Sequence, residues 1–305
     1  MKRIIWMLQT GVFYCFTWLV ALMPEWMSER IGTGLGLLMR ILIRKRRIIA
    51  EDNIAHVLEY MRSQPGWTCT IPDAEGIARE AFRNIGRALV EVCRLYHGHG
   101  AALINQIELR GKEHYDAAVA KGKGLIFLTG HCGNWELMAL ANFQLLGSTM
   151  SVVARRQNNP YLNAMVEKMR MRYKNRVIYK DNALKNMMSV LRKQGTIGLL
   201  VDQAVFPEEG CLISFLGRPA WASKAPVLLA RKLGVPVVPS FIFRDGDHYC
   251  IEIYPELVFS GDKSDEGWAA DVKVYSRAIE DFIIRHPTSW YWVHRRWKRA
   301  GEPVP

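Results

Sequence analysis

The chain has 305 residues, 50% of them hydrophobic, and a formal net charge of +12. That balance excludes a disordered or fibrous chain, and the length allows one large domain or one domain with an attachment segment. The positive charge favours a polyanionic partner, whether nucleic acid, anionic lipid or a phosphorylated substrate; the 10 tryptophans tilt that choice toward a membrane surface. The cysteines Cys15, Cys69, Cys93, Cys132, Cys211 and Cys250 show no CxxC pair and no Cys/His ligand spacing. They read as reduced thiols of a cytoplasm-facing protein with no structural zinc.

The amino terminus holds an uncharged run from Ile4 to Met23, IIWMLQTGVFYCFTWLVALM, long enough to cross a bilayer. A cleaved signal peptide and a buried core helix are the alternatives. The run exceeds a usual signal core, and no small-x-small cleavage site precedes Pro24. A second apolar stretch, Ile31 to Ile43, is broken by Arg40 and is too short and too charged to span. It ends in Arg44, Lys45, Arg46 and Arg47, a cluster suited to anionic headgroups or to a solvated helix face. The cluster outweighs Lys2 and Arg3, so the residues beyond the anchor are expected on the cytoplasmic side. Nucleic acid is disfavoured, because no basic-aromatic interleaving accompanies the cluster. The expected division is a membrane anchor with a basic interfacial segment over 1–50 and a catalytic domain over 51–305.

Beyond Asn53 the pattern is that of a soluble domain. Ile77, Ala81, Ile85, Leu89 and Val92 recur at helical spacing within a helix over 74–96. Then come a strand over 124–129, a helix over 135–146, a strand over 150–154, a helix over 161–173, a strand over 176–179, a helix over 183–193 and a strand over 196–201. A helix over 222–233 ends at Gly234, and strands over 237–244 and 249–254 flank Asp245-Gly246, a hairpin signal. A last helix over 268–285 stops at His286-Pro287. Alternating strands and helices predict an α/β fold with a mixed, largely parallel sheet flanked by helices.

The densest chemistry lies in LIFLTGHCGNWEL, residues 125–137. His131 falls on the turn between a buried strand and a helix, where α/β sheets place reactive groups. Glu136 follows in an HxxxxE pattern and can reach back to fix and support the imidazole as a general base. The bland alternative is a chance histidine before a capped helix, with Glu136 serving the helix dipole. Arg155 ends a strand expected to neighbour the one before His131, where it could bind phosphate or oxyanion charge or form a surface salt bridge. Asp202 ends the strand TIGLLV at the same edge, or forms a turn. His294, Arg295, Arg296 and Lys298 lie among Trp290, Trp292 and Trp297. That cluster suits phosphate contact, carrier-protein contact or interfacial seating, or a packed terminal strand with solvated charges.

Gly-His-Cys-Gly-Asn-Trp-Glu at 130–136 resembles the signature of the bacterial lipid A biosynthesis acyltransferases, the late lauroyl and myristoyl transferases. The likeness extends to VVARRQNNP at 152–160, to Asp202-Gln203, to FLGRPA at 215–220 and to WYWVHRRWK at 290–298, in the family's order and over nearly the whole chain. The resemblance implies the glycerolipid-acyltransferase fold and acyl transfer from acyl carrier protein to a hydroxyl of an anionic glycolipid, a lipid A precursor, at the cytoplasmic face of the inner membrane. It implies no cofactor beyond the carrier's phosphopantetheine thioester, and no metal. His131, Glu136 and Arg155 would be catalytic, and Asn134, Arg156, Asp202, Arg295, Arg296 and Lys298 would bind substrate. The loop after Asp202 reads Gln-Ala-Val-Phe, without the family's Asp-x-Asp pattern. Three other readings compete: the same chemistry on another glycolipid, such as a mannosylated phosphoinositide, or with an acyl-CoA donor; a noncatalytic membrane-binding protein; and a metal-dependent hydrolase using His131, Glu136 and Asp202, whose ligand spacing is poor.

Overall fold

The computed structural model describes residues 2–179 and 181–300. Helices α1 (Lys2–Ala21), α2 (Glu25–Leu42), α3 (Arg44–Arg62) and α4 (Ala74–Tyr96) come first. The expected boundary between residues 50 and 51 therefore falls inside α3. The apolar stretch 31–43 belongs to α2, whose buried residues are Ser28, Gly32 and Gly36. That small-residue row lets α2 meet α4 backbone to backbone: a Cβ on Gly86 of α4 would lie 2.1 Å from the Gly32 carbonyl oxygen. Asp73 caps α4 by accepting from the Gly76 N–H.

The α/β part runs α5 (Ala101–Asn105), β1 (Glu108–Arg110), α6 (Lys112–Val119), β2 (Leu125–Thr129), α7 (Trp135–Leu146), β3 (Met150–Ala154), α8 (Pro160–Met171), β4 (Arg176–Tyr179), α9 (Ala183–Arg192) and β5 (Thr196–Leu200). It closes with β6 (Gly210–Phe215), β7 (Arg218–Ser223), α10 (Ala225–Leu233), β8 (Val237–Asp245), β9 (His248–Ile253) and α11 (Asp265–Arg285). Among the described residues the main sheet has seven strands in the order β1-β9-β8-β2-β5-β3-β4. Only β8 and β9 pair antiparallel within it. The mixed, largely parallel sheet is thus as expected. β2 sits near its centre and is buried at every position, as the uniformly apolar LIFLT requires.

Three features differ from the sequence expectation or were not part of it. Arg155 does not follow a neighbour of β2, because β5 lies between β2 and β3. FLGRPA forms the turn of a separate hairpin, β6–β7, with Leu216 and Gly217 both at positive φ between the paired Phe215 and Arg218. Positive φ at both central residues matches a two-residue hairpin turn. The helix expected from residue 222 starts only at Ala225 because β7 runs through Ser223.

Candidate active site

The register of β2 and β5 builds the centre of the site. Thr129 pairs with Leu200, and the Val201 N–H donates to the Thr129 carbonyl at 3.0 Å. Carrying that register forward sets His131 opposite Asp202. The His131 ring Nδ1 and the Asp202 carboxylate are 2.8 Å apart, and the His131 backbone N–H donates to the other carboxylate oxygen at 2.9 Å. The Trp290 indole N–H donates to that same oxygen at 2.9 Å. Asp202 is 3% exposed. Burial pushes its carboxyl upward, but the His131 charge and the bonds from His131 and Trp290 outweigh burial and bring it down to about 2. An ionised carboxylate behind Nδ1 holds the proton there and leaves Nε2 as the basic nitrogen.

The carboxyl-terminal segment clamps this turn. The Tyr291 N–H donates to the His131 carbonyl at 3.0 Å, and the Gly133 N–H to that of Ser289 at 2.6 Å. Cys132 forms an isolated antiparallel bridge with Trp290. Gly133 has φ +51°, and a Cβ there would lie 2.3 Å from the Ile242 carbonyl oxygen, so only glycine fits. The His131 side chain keeps 21% exposure. Trp135 and Tyr291 flank its ring at centroid distances of 5.1 and 6.0 Å. The Gln203 amide nitrogen is 3.3 Å from His131 Nε2. Cys132 is fully buried, and burial raises its thiol well above the ordinary value, so it is a filler beside the site and not a poised nucleophile.

The expectation that Glu136 supports the imidazole is corrected. Its carboxylate takes a two-point ion pair from Arg170 of α8, at 2.5 and 3.2 Å, and the Tyr96 hydroxyl at 3.3 Å. Glu136 lies in the first turn of α7 and faces α4 and α8, while strand register brings Asp202 to the ring. Asn134 is corrected as well. It is 2% exposed, caps α7 through its carbonyl oxygen and donates to Glu91 at 2.8 Å, so its amide is committed inside the fold. Arg296 is 1% exposed, donates to the Trp221 carbonyl at 2.5 Å and stacks on Phe215, which removes it from any substrate surface.

Arg155 and Arg156 are both exposed just past β3. Arg156 lies over the Tyr179 ring at 3.9 Å and pairs with Asp181 at 3.6 Å. With β5 intervening, Arg155 follows a strand ~10 Å from the one carrying His131. Arg295 and Lys298 are half-buried in terminal turns, and not in the terminal strand of the alternative reading. Sequence reading missed Trp290, Gln203, Trp135 and Tyr291 as neighbours of the histidine, although all four stand in the motifs already singled out.

A histidine backed by a buried carboxylate at the carboxyl edge of a parallel sheet is the arrangement of a general base in an α/β enzyme. The chain matches the family described as bacterial lipid A biosynthesis acyltransferase over residues 3–299. It belongs to that family and is an acyltransferase. It is 25% identical over 292 residues to the lipid A biosynthesis lauroyltransferase of Escherichia coli, covering 94% of this chain and 90% of that protein. It is 23% identical over 286 residues to the palmitoleoyltransferase of the same organism, covering 92% and 88%. It is also 24% identical over 230 residues to the phosphatidylinositol mannoside acyltransferase of Mycobacterium tuberculosis, covering 71% and 69%.

Proposed function

We propose that the chain transfers a fatty acyl group from a thioester on acyl carrier protein to a hydroxyl of a lipid A precursor, at the cytoplasmic face of the inner membrane. The observation that carries the reading is the His131–Asp202 pair at the edge of the parallel sheet. His131 Nε2 removes the acceptor hydroxyl proton, and Asp202 holds the tautomer and stabilises the imidazolium. The oxygen attacks the thioester carbonyl, the ester C–O bond forms and the C–S bond breaks. The imidazolium proton then goes to the departing thiolate. The positive end of the α7 dipole, which starts four residues after His131, favours the developing oxyanion. Arg155, Arg156, Arg295 and Lys298 contact the phosphates of donor and acceptor, the distance across β5 favouring that role for Arg155 over one at the reacting carbonyl. The net charge of +12 suits an acidic carrier protein.

A second reading keeps the chemistry and changes the acceptor to a mannosylated phosphoinositide, supported by the likeness to the mycobacterial enzyme. The test gives purified chain radiolabelled acyl carrier protein with each acceptor in turn. Labelled product with the phosphorylated glucosamine lipid alone supports the first reading. Product only with the phosphoinositide replaces it, and product only when acyl-CoA is the donor removes the carrier protein.

A further inference from the structure

Helix α1 is long and apolar enough to cross a membrane, yet one side of it is docked on the catalytic domain along its whole length. Near its start, Arg3 donates to the Tyr161 hydroxyl at 2.6 Å. Asn159, the cap of α8, donates to the Trp6 carbonyl at 2.9 Å and to the Thr10 hydroxyl at 3.2 Å. Farther along, Tyr14 packs edge-on against His97 at the end of α4, and the Thr17 hydroxyl lies 2.9 Å from its Nε2. Arg94 of α4 then holds the Met23 carbonyl and the Ser28 hydroxyl. At ~3.6 residues per turn, residues 3, 6, 10, 14 and 17 form one stripe.

Ile5, Leu8, Val12, Phe16 and Leu19 form the opposite stripe, and all are exposed. Beyond the helix, Trp26, Leu38, Ile41, Leu42 and Ile43 are exposed apolar side chains as well. Basic groups stand beside these apolar residues. Lys2 lies over the Trp6 ring at 4.9 Å, Arg30 near the Trp26 ring at 5.7 Å, and Arg44, Lys45 and Arg46 are exposed where the apolar run ends.

The docked length argues against a crossing. A helix of 20 residues is ~30 Å long, the full thickness of a hydrocarbon core. If α1 stood across that core, the flank of α8 and the end of α4 would stand in it too. Exposed Arg155 and Arg156 lie just before Asn159, and exposed Arg172 lies against the loop that holds His97. Charged side chains at both ends of the docked stripe, with Asp181 beside Arg156, would then enter lipid, which is costly for each of them.

We propose that α1 lies in the plane of one leaflet as part of a monotopic binding surface, its apolar stripe inserted among acyl chains and the basic rim on anionic headgroups. The active site and the chain's amino terminus then share one side of the membrane. This rests on the membrane-bound reading above and deepens it. A protein held this way draws its lipid acceptor laterally from the leaflet on which it sits.

The test uses the full-length chain with Cys15→Ser, which removes the exposed thiol, and adds either Lys2→Cys or Lys263→Cys, both exposed positions. Sealed right-side-out and inside-out vesicles of the host membrane are treated with a bulky, impermeant maleimide. In-plane binding predicts that both cysteines label in the same vesicle orientation. Labelling in opposite orientations would overturn the proposal while leaving membrane attachment intact. Recovery of the chain in the soluble fraction would overturn both readings. As an independent check, Thr10→Cys with Asn159→Cys should form an intramolecular disulfide in native membranes. A pair that oxidises only after detergent extraction would speak for a helix that leaves the domain to span.

Discussion

Replacing Asp202 by Asn isolates the contact on which the chemistry depends. The carboxylate accepts three hydrogen bonds, at 2.8, 2.9 and 2.9 Å, from groups that can only donate or must donate in the active tautomer. An amide offers one oxygen and one NH₂. If the oxygen stays with the His131 N–H and Trp290, the NH₂ faces Nδ1 and donates to it. That moves the ring proton to Nε2, where it blocks proton abstraction. An imidazole trapped in the wrong tautomer loses on the order of 10⁴-fold in rate, ~5 kcal/mol of transition-state stabilisation. Stability should fall by about 3 kcal/mol, because charge-assisted bonds at a 3%-exposed site become neutral ones. Glu136→Gln is the control. Its partner Arg170 is 22% exposed and Glu136 23%, so the pair is partly screened. Its loss should cost ~1 kcal/mol and about tenfold in rate, through the setting of α7. The assay follows labelled acyl transfer to lipid under initial-rate conditions, below the unfolding onset of each variant. If Glu136→Gln is as slow as Asp202→Asn while folded, the assignment of Asp202 as the imidazole's partner is wrong.

Three further outcomes follow from the structure. Cys132→Ala should retain most activity at a stability cost of ~1 kcal/mol, and donor incubated without acceptor should leave no acyl mass on the intact protein; an adduct removed by acceptor would point to a thiol route. Gly86→Ala should destabilise by ~3 kcal/mol or more, since its Cβ meets the Gly32 carbonyl oxygen at 2.1 Å and the Gly36 nitrogen at 2.4 Å; a melting temperature within a degree of the parent would contradict the close α2–α4 contact. Burial lowers His286 and His294 to about 4. The unfolded chain takes up those protons first, so stability should fall as pH drops from ~6.5 toward 4. Asp202, lowered to about 2, loses its contribution only as pH falls from its ordinary value toward that figure. His286 stacks on Phe243 at 3.9 Å, so His286→Phe should flatten the decline in a melting series; an unchanged slope would refute that source.

Much of the sheet was legible because its strands are short apolar runs between glycines and helical stretches. Leu125–Thr129 and Met150–Ala154 lie where their composition places them. The order of the strands was not legible, since a parallel crossover does not state which neighbour it reaches. That gap explains the carboxylate: Glu136 is near His131 in sequence, whereas Asp202 is near it through the pairing of β2 with β5. Helix α3 was hidden by its charge-rich start, although Ile54, Val57 and Met61 at helical spacing mark its buried face. The row Ser28, Gly32, Gly36 carried no signal in sequence, because its partner Gly86 comes from α4 fifty residues on. Arg296 looks like a surface cation in sequence and is buried, because Trp221 and Phe215 reach it from a hairpin that composition did not reveal.

Esterification of a lipid A-type acceptor, with His131 as the base, is the reaction proposed for this chain. Mass spectrometry of lipid A bears on it most directly, using host cells that lack the chain and the same cells complemented with the parent or with His131→Ala. A species one acyl chain heavier is expected with the parent, and none with His131→Ala at equal protein level in the membrane. A lipid A profile that the parent leaves unchanged, or that His131→Ala restores as fully as the parent, would contradict it.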